Sequence, residues 1–193
     1  MRRSITQALA IAAVATCLAG ALQSTSAARL NADGSLELVG HRLRCDNVRT
    51  RLDKRLPNLG AASPEEGLLL INPVLLGDEH EVVQLFVFHH ECGHHRVGAS
   101  ELGADCWAID QGVGAGWLRR ESLQPICASF GGAPETSTHP SAKRRCANLE
   151  QCFTRAENRV KKPPTPTEAS VVATAGGPAL VRGPRLAWIG NTR

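Results

Sequence analysis

The amino-acid sequence predicts an α+β fold, with a single, mostly helical domain and a small β-sheet beside its central helix. Two short segments, residues 36–45 and 67–73, have the alternating or continuous apolar character of strands. Two longer segments, residues 78–98 and 104–117, carry apolar clusters typical of helices. The 165 residues that follow position 28 are enough for one hydrophobic core, and a second core is not expected.

The first 28 residues are typical of a secretory signal. Arg2 and Arg3 precede an apolar stretch from Ala8 to Leu22, and small residues follow up to Ala28. The apolar part is shorter than the roughly 20 residues that cross a bilayer, so we expect cleavage after Ala27 or Ala28 rather than a membrane span in the mature chain. The alternative is an uncleaved anchor. In either case the protein is expected to be exported, to the periplasm or the medium.

The chain is predicted to comprise a signal at 1–28, a domain at 29–160 and a tail at 161–193. The tail is rich in Pro, Gly, Ala and Thr and buries too little apolar surface to fold alone. The whole chain has a formal charge of +4. Because the first 28 residues carry +2 and the tail +4, the body carries −2. This distribution argues against a nucleic-acid partner for the folded part.

The first half of the body is predicted to contain strands and one surface helix. Residues 36–45 suggest a hairpin or lead-in strand after a turn at Asp33-Gly34, and Gly67 to Pro73 has the character of a buried or edge strand. Residues 46–59 carry apolar side chains at spacings of four, four and three, which favours a surface helix ended by Pro57.

Two consecutive helices are predicted next, and two more after them. Asp78 is the expected N-cap of the first, and Gly98 the expected stop. Ser100 is the expected cap of the second. Residues 118–130 and 142–160 are predicted to be helices on either side of a loop at 131–141.

The first of these helices carries the sequence H-E-x-x-H at His90, Glu91 and His94. Because a helix advances about 100° per residue, two His four positions apart lie on one face and can bind the same metal ion. The Glu between them lies beside that ion and can take a proton from a water whose pKa the metal has lowered to roughly 7. The motif is typical of zinc-dependent peptidases.

A third ligand is expected at the start of the second helix. Glu101 is predicted to complete the metal site, and Asp105 to accept the free ring N–H of a liganding His. The reversed assignment stays open, as does the reading of both as solvated surface acids. His89 and His95 are each rotated about 100° from the face of the motif, so neither is expected to be a ligand.

The region 66–152 resembles the gluzincin metallopeptidases. The motif is followed by E-x-x-A-D-x-x-A at 101–108, and Ser137-Thr138-His139-Pro140 with Arg144 or Arg145 is similar to an S-T-H-P-x-x-x-R element of the CAAX-prenyl and heat-shock metalloproteases. Those relatives are multi-span membrane enzymes with a longer gap before the third ligand, so their substrates do not carry over. Small bacterial proteins of the neutral zinc metallopeptidase kind, with H-E-x-G-H-H and E-x-x-A-D-C, are a closer likeness.

The resemblance implies a zincin-like domain holding one Zn²⁺ per chain with His90, His94 and Glu101. It also implies that Glu91 is the general base and that His139 lies near the cleft. There His139 is a candidate donor to the developing oxyanion, the alternative being an ordinary loop turn. By the same likeness, the backbone at 69–72 either pairs with an extended peptide or belongs to a plain core strand.

The expected function is hydrolysis of peptide bonds in a peptide or protein substrate. The alternative is a non-catalytic zinc-binding or partner-binding module on the same scaffold. The sequence gives no indication of the oligomeric state.

Six cysteines remain once Cys17 is lost with the signal, and an even count in an exported chain predicts disulfides. A Cys92–Cys106 bond, which would join the two metal-bearing helices, is one hypothesis. Thiolate ligation of zinc is not expected, because Cys92 points about 160° away from His94. The candidates are Cys45, Cys92, Cys106, Cys127, Cys146 and Cys152.

Overall fold

The computed structural model describes residues 28–137 and 139–162. The predicted signal up to residue 27, Cys17 and the tail from residue 163 lie outside the described residues. Within them the α+β prediction is confirmed, because the chain forms five α-helices and two three-stranded sheets.

The first sheet is antiparallel and consists of β1 (Arg29–Leu30), β2 (Leu36–Leu38) and β3 (His41–Leu43) in that order. The predicted hairpin is therefore confirmed, with Leu36 opposite Leu43. Gly34 adopts a φ of +82° between β1 and β2, which accounts for the predicted turn at this glycine.

The second sheet contains β4 (Arg49–Leu52), β5 (Gly60–Ser63) and β6 (Leu68–Ile71) in the order β4-β6-β5. The predicted strand at Gly67 to Pro73 is confirmed as β6, which runs parallel to β4 and antiparallel to β5. It is the central strand of the three, so its two edges are occupied by its neighbours.

The predicted surface helix at residues 46–59 is wrong. Residues 49–52 pair with β6 instead, and the side chain of Thr50 is buried while Arg49 and Arg51 are exposed. The alternation over these few residues is the strand period, and the ladder to β6 supplies the backbone hydrogen bonds that a helix would have made. Pairing with β6 thus outweighs the helical preference that the spacing of the apolar residues indicates.

The helices are α1 (Pro73–Gly77), α2 (Glu81–Val97), α3 (Glu101–Ala115), α4 (Leu123–Ser129) and α5 (Ala142–Lys161). Gly98 follows the end of α2 and Ser100 caps α3 as predicted, the Ser100 hydroxyl accepting from the Gly103 N–H. The predicted helix at 142–160 is confirmed as α5. The helix predicted at 118–130 is shorter, because a 3-10 turn at Arg120–Ser122 precedes α4.

The prediction of Asp78 as the N-cap of α2 is wrong. Asp78 lies at the C-terminal end of α1, a short helix that Asn72 and Pro73 initiate. His80 caps α2 instead, its Nδ1 accepting from the Val82 N–H at 3.3 Å.

Helix α2 separates two hydrophobic cores. On one side it packs with α3, α4 and α5 through Phe86, Ile109 and Leu149. On the other side Phe88 and Leu85 pack against both sheets. The helix is therefore packed from two directions, and this packing fixes the position of the backbone that carries His90 and His94.

Three disulfides join these layers, Cys45–Cys92, Cys106–Cys152 and Cys127–Cys146. All six candidate cysteines are thus paired, but the Cys92–Cys106 hypothesis is wrong. Cys92 lies on the face of α2 directed at the sheets, where it meets Cys45, whereas Gly93 is the residue that faces α3. Cys106 is directed at α5.

No helix within the described residues is long and apolar enough to cross a membrane.

Replacing Asn72 with Ala is predicted to destabilise the fold by about 2–3 kcal/mol. The buried Asn72 side chain caps α1 by accepting from Val74 and Leu75 N–H, and it donates to the Leu56 carbonyl at 2.7 Å. Denaturant unfolding measures the loss. Asn158→Ala, at an exposed position of α5, is the matched control and should change the unfolding free energy by less than about 0.5 kcal/mol.

Candidate metal centre

Two imidazoles project from successive turns of α2 toward each other. His90 Nε2 and His94 Nε2 are 3.1 Å apart, with the two rings nearly perpendicular. The four-residue spacing of the motif therefore gives the face-sharing that helical geometry requires. Both residues lie in the second half of α2, where the helix is held between the two cores.

Glu101 completes the group from the first turn of α3. Its Oε2 lies 3.3 Å from His90 Nε2, and its Oε1 lies 3.5 Å from His94 Nε2. One ligand atom from each of the three residues lies within 4.8 Å of the others, so the group can hold a metal ion. The arrangement depends on the short turn at Gly98–Ser100, which reverses the chain between α2 and α3.

The helices α2 and α3 approach closely at Gly93. A Cβ at this position would lie 3.1 Å from the Ala104 main chain. Glycine in the motif thus lets the backbone of α3 come near enough for Glu101 to reach both imidazoles.

Asp105 contacts the opposite side of the His90 ring. The carboxylate is completely buried, and its Oδ1 lies 2.9 Å from His90 Nδ1. His94 Nδ1 is likewise engaged, at 2.9 Å from the Gly98 carbonyl oxygen. With acceptors at both Nδ1 atoms, the Nδ1–H tautomer is favoured and each Nε2 presents its lone pair to the shared space.

The carboxylates and imidazoles of the centre shift each other's pKa values. Burial lowers the pKa of His90, but hydrogen bonds with Asp105 and Glu101 outweigh it and raise the pKa to about 9. Burial raises the pKa of Glu101, but His90 and Arg145 outweigh it and lower the pKa to about 2. The site therefore favours positive charge.

Glu91 lies at the wall of a cleft of about 1180 Å³ that opens onto His90, His94 and Glu101. Burial is the main cause that raises the pKa of the Glu91 carboxyl. The N-terminal end of β5 crosses directly over this side chain, because a Cβ at Gly60 would lie only 2.8 Å from Glu91 Cγ. Sequence reasoning missed Gly60, and the only local signal was its place in a run of small residues, Gly60-Ala61-Ala62.

The loop between α4 and α5 brings His139 to the centre. His139 Nε2 lies 3.5 Å from Glu101 Oε1, while its side chain is 62% exposed. Its position at the cleft agrees with the expectation for this residue. The role in stabilising an oxyanion stays a prediction.

The two neighbouring arginines of α5 differ in direction. Arg144 pairs with Glu135 at the surface. Arg145 points inward, donates to Asp105 and stacks over the Phe130 ring, with its Cζ 4.1 Å from the ring centroid. From sequence, Arg144 and Arg145 were alternatives for the arginine of the S-T-H-P-x-x-x-R element. The contact of Phe130 with Arg145 was not predicted, because nothing in the nearby sequence distinguishes Phe130 from a core residue.

His89 and His95 lie outside the group, as expected. His89 stacks on Trp117 at 5.4 Å, and burial lowers its pKa to about 4. His95 Nε2 lies 3.2 Å from the Leu68 carbonyl oxygen.

No family model, curated protein or solved structure matches this chain. The arrangement of the site residues is accordingly what supports a function.

Replacing Gly60 with Ala is predicted to destabilise the protein by about 1–3 kcal/mol, because the added methyl meets Glu91 Cγ and lies 3.1 Å from Val87 Cγ1. Gly77→Ala is the control, since a Cβ there meets nothing within 4 Å. Urea unfolding of the metal-free proteins measures both. Equal stability of the two variants would contradict the close approach of β5 to α2.

Proposed function

We propose that this protein is an exported zinc-dependent metallopeptidase that hydrolyses peptide bonds. The observation that carries the proposal is the group His90, His94 and Glu101 at the wall of a cleft that also contains Glu91. Two imidazoles and one carboxylate are the donor set of catalytic zinc sites that keep one position open, whereas structural sites close with four protein ligands. The chemistry of the donors therefore fits zinc, and the arrangement is in keeping with a gluzincin.

Zinc bound at such a site polarises a substrate carbonyl and lowers the pKa of a bound water to roughly 7. Glu91 is then placed to accept a proton from the attacking water and pass it to the departing amine. The raised pKa of Glu91 supports this role, because a base that also returns its proton works best near the operating pH. His139, beside Glu101 at the cleft, is the proposed donor to the oxygen on which negative charge develops.

The strand available to a peptide is β5 rather than the 69–72 segment expected from sequence. Because β6 is flanked by β4 and β5, its backbone is already paired. Asn72 N–H donates to the Leu59 carbonyl, so alternation along the ladder directs the main-chain groups of Gly60 and Ala62 to the free edge. Both residues line the cleft, and an extended peptide can pair there beside Glu91.

Export is supported by the three disulfides, which persist in oxidising compartments. We propose the periplasm or the medium as the location, reached through the signal at residues 1–28. The zinc stoichiometry is proposed to be one ion per chain.

The decisive experiment compares metal content with peptide cleavage in purified, oxidised protein. Wild type is expected to retain one zinc by elemental analysis and to cleave members of a peptide library. His90→Ala and Glu101→Ala should lose the metal. Glu91→Gln should keep it while kcat falls by about 10²–10⁴-fold, because only the base is removed.

Glu81→Gln, at an exposed position at the start of α2, is the matched control and should leave metal content and kcat unchanged. Wild type that holds zinc but cleaves no peptide would favour the non-catalytic zinc-binding module instead. Asp105→Ala losing zinc while Glu101→Ala retains full affinity would reverse the assignment of these two carboxylates.

The charge of the cleft predicts a preference for peptides with Lys or Arg near the cleaved bond. Glu65, Asp78 and Glu79 line the cleft, and none forms an ion pair in the part of the chain that the structure describes, while Arg145 is engaged by Asp105. Matched peptides with Lys or Glu at each position measure the preference. We expect about a fivefold advantage in kcat/KM for Lys, lost at about 1 M salt, where charges are screened within about 3 Å.

The control for long-range charge is a Glu66→Gln/Glu121→Gln protein, which loses two exposed carboxylates outside the cleft lining. It should keep the ratio of the two rates. An Asp78→Asn/Glu79→Gln protein should lower that ratio. Equal rates for Lys and Glu peptides in wild type would contradict the prediction.

A further inference from the structure

Arg145 connects α5 to the metal centre through several polar contacts. Its Nε donates to Asp105 Oδ2 at 2.9 Å, and its Nη2 donates to Asp105 Oδ1. The same Nη2 lies 3.5 Å from His90 Nδ1, and Nη1 lies 3.7 Å from Glu101 Oε2. One guanidinium therefore borders both carboxylates and one imidazole of the centre.

We propose that Arg145 is a positioning residue of the metal centre, which fixes the Asp105 carboxylate and through it the orientation of the His90 ring. The inference rests on the proposed zinc site, and it extends that site to α5. Arg145 is not proposed to touch the metal or the reacting atoms.

The completely buried Asp105 carboxylate explains why a partner is needed. A buried carboxylate with no cation is strongly disfavoured, and Arg145 supplies the charge at hydrogen-bonding distance. The Nε and Nη2 atoms of the guanidinium each donate to one carboxylate oxygen, which fixes the plane of the carboxylate. Oδ1 is thereby held 2.9 Å from His90 Nδ1. A lysine would supply charge at one point and leave the plane free to rotate.

Three features hold Arg145 itself in place. Ser141 caps the first turn of α5, the hydroxyl accepting from the Arg144 N–H. Phe130 lies under the guanidinium. The adjacent Cys146 is bonded to Cys127 of α4, so the arginine is fixed between two elements that are covalently joined.

A double-mutant cycle on zinc affinity tests the proposal. The full oxidised chain carries Arg145→Met, Asp105→Asn or both, and each protein is titrated with Zn²⁺ against a competing chelator. Each single variant is expected to lose about 10–100-fold in affinity, as removal of partners behind metal ligands commonly does. Because Arg145 acts through Asp105, Arg145→Met should cost nothing further in the Asp105→Asn protein.

Urea unfolding of the same metal-free proteins separates positioning from a purely structural role. The Arg145→Met protein leaves a buried charge unpaired and should be less stable. The double variant removes both charges and should regain stability while its zinc affinity stays low. If the zinc affinity of the double variant recovered together with its stability, the proposal would be overturned. The same holds if the affinity losses of the two single variants added up in the double variant.

Two further variants keep the test decisive. Arg145→Lys preserves the charge but loses the two-point contact with Asp105, so its zinc affinity should fall about tenfold. This variant tests the proposal if Arg145→Met does not fold. Arg144→Met, which removes the neighbouring surface arginine, should bind zinc like wild type.

Wild-type affinity in Arg145→Lys would also overturn the inference while leaving the zinc site intact. Failure of wild type itself to bind zinc would instead overturn the proposed function, and with it the role of Arg145.

Discussion

The close packing of α2 against α3 is the constraint on which the centre depends. Neither helix alone brings a carboxylate to the two imidazoles, because His90 and His94 belong to one helix and Glu101 to the other. Gly93 has no side chain to hold the two helices apart. The turn between them is only three residues long, Gly98 to Ser100. Helix-to-helix distance thus sets ligand-to-ligand distance, and mechanical rigidity of the pair becomes rigidity of the site.

The same packing gives the two nitrogens of the His90 ring different surroundings. Its Nε2 faces Glu101 and the cleft, and its Nδ1 faces Asp105 in the interior. On the interior side the buried Asp105 carboxylate is paired with Arg145, whereas the other side opens onto the cleft. A polar network of His90, Asp105 and Arg145 thus crosses the helical core at this point.

What the sequence predicted well was local. The spacing of His90 and His94, the Ser100 cap and the Gly98 stop each depend on residues within a few positions, and together they brought Glu101 and Asp105 into the right neighbourhood. What the sequence predicted poorly was long-range. The strand at Arg49–Leu52 exists because β6 pairs with it, and the partner of Cys92 depends on which face of α2 meets the first sheet. The strand leaves only a short alternation of buried and exposed residues, and the partner of Cys92 leaves no local trace. The unpaired edge of β5 beside Glu91 leaves none either.

The Cys45–Cys92 disulfide lies two positions along α2 from both His90 and His94, but on the opposite side of the helix. In a reduced chain the cysteine thiolates could bind a soft divalent ion as well as the imidazoles can. An ion bound to both kinds of ligand would link segments that the folded protein keeps apart. Because all six cysteines of the described residues are paired, none of their thiols is free to compete with the imidazoles for an ion.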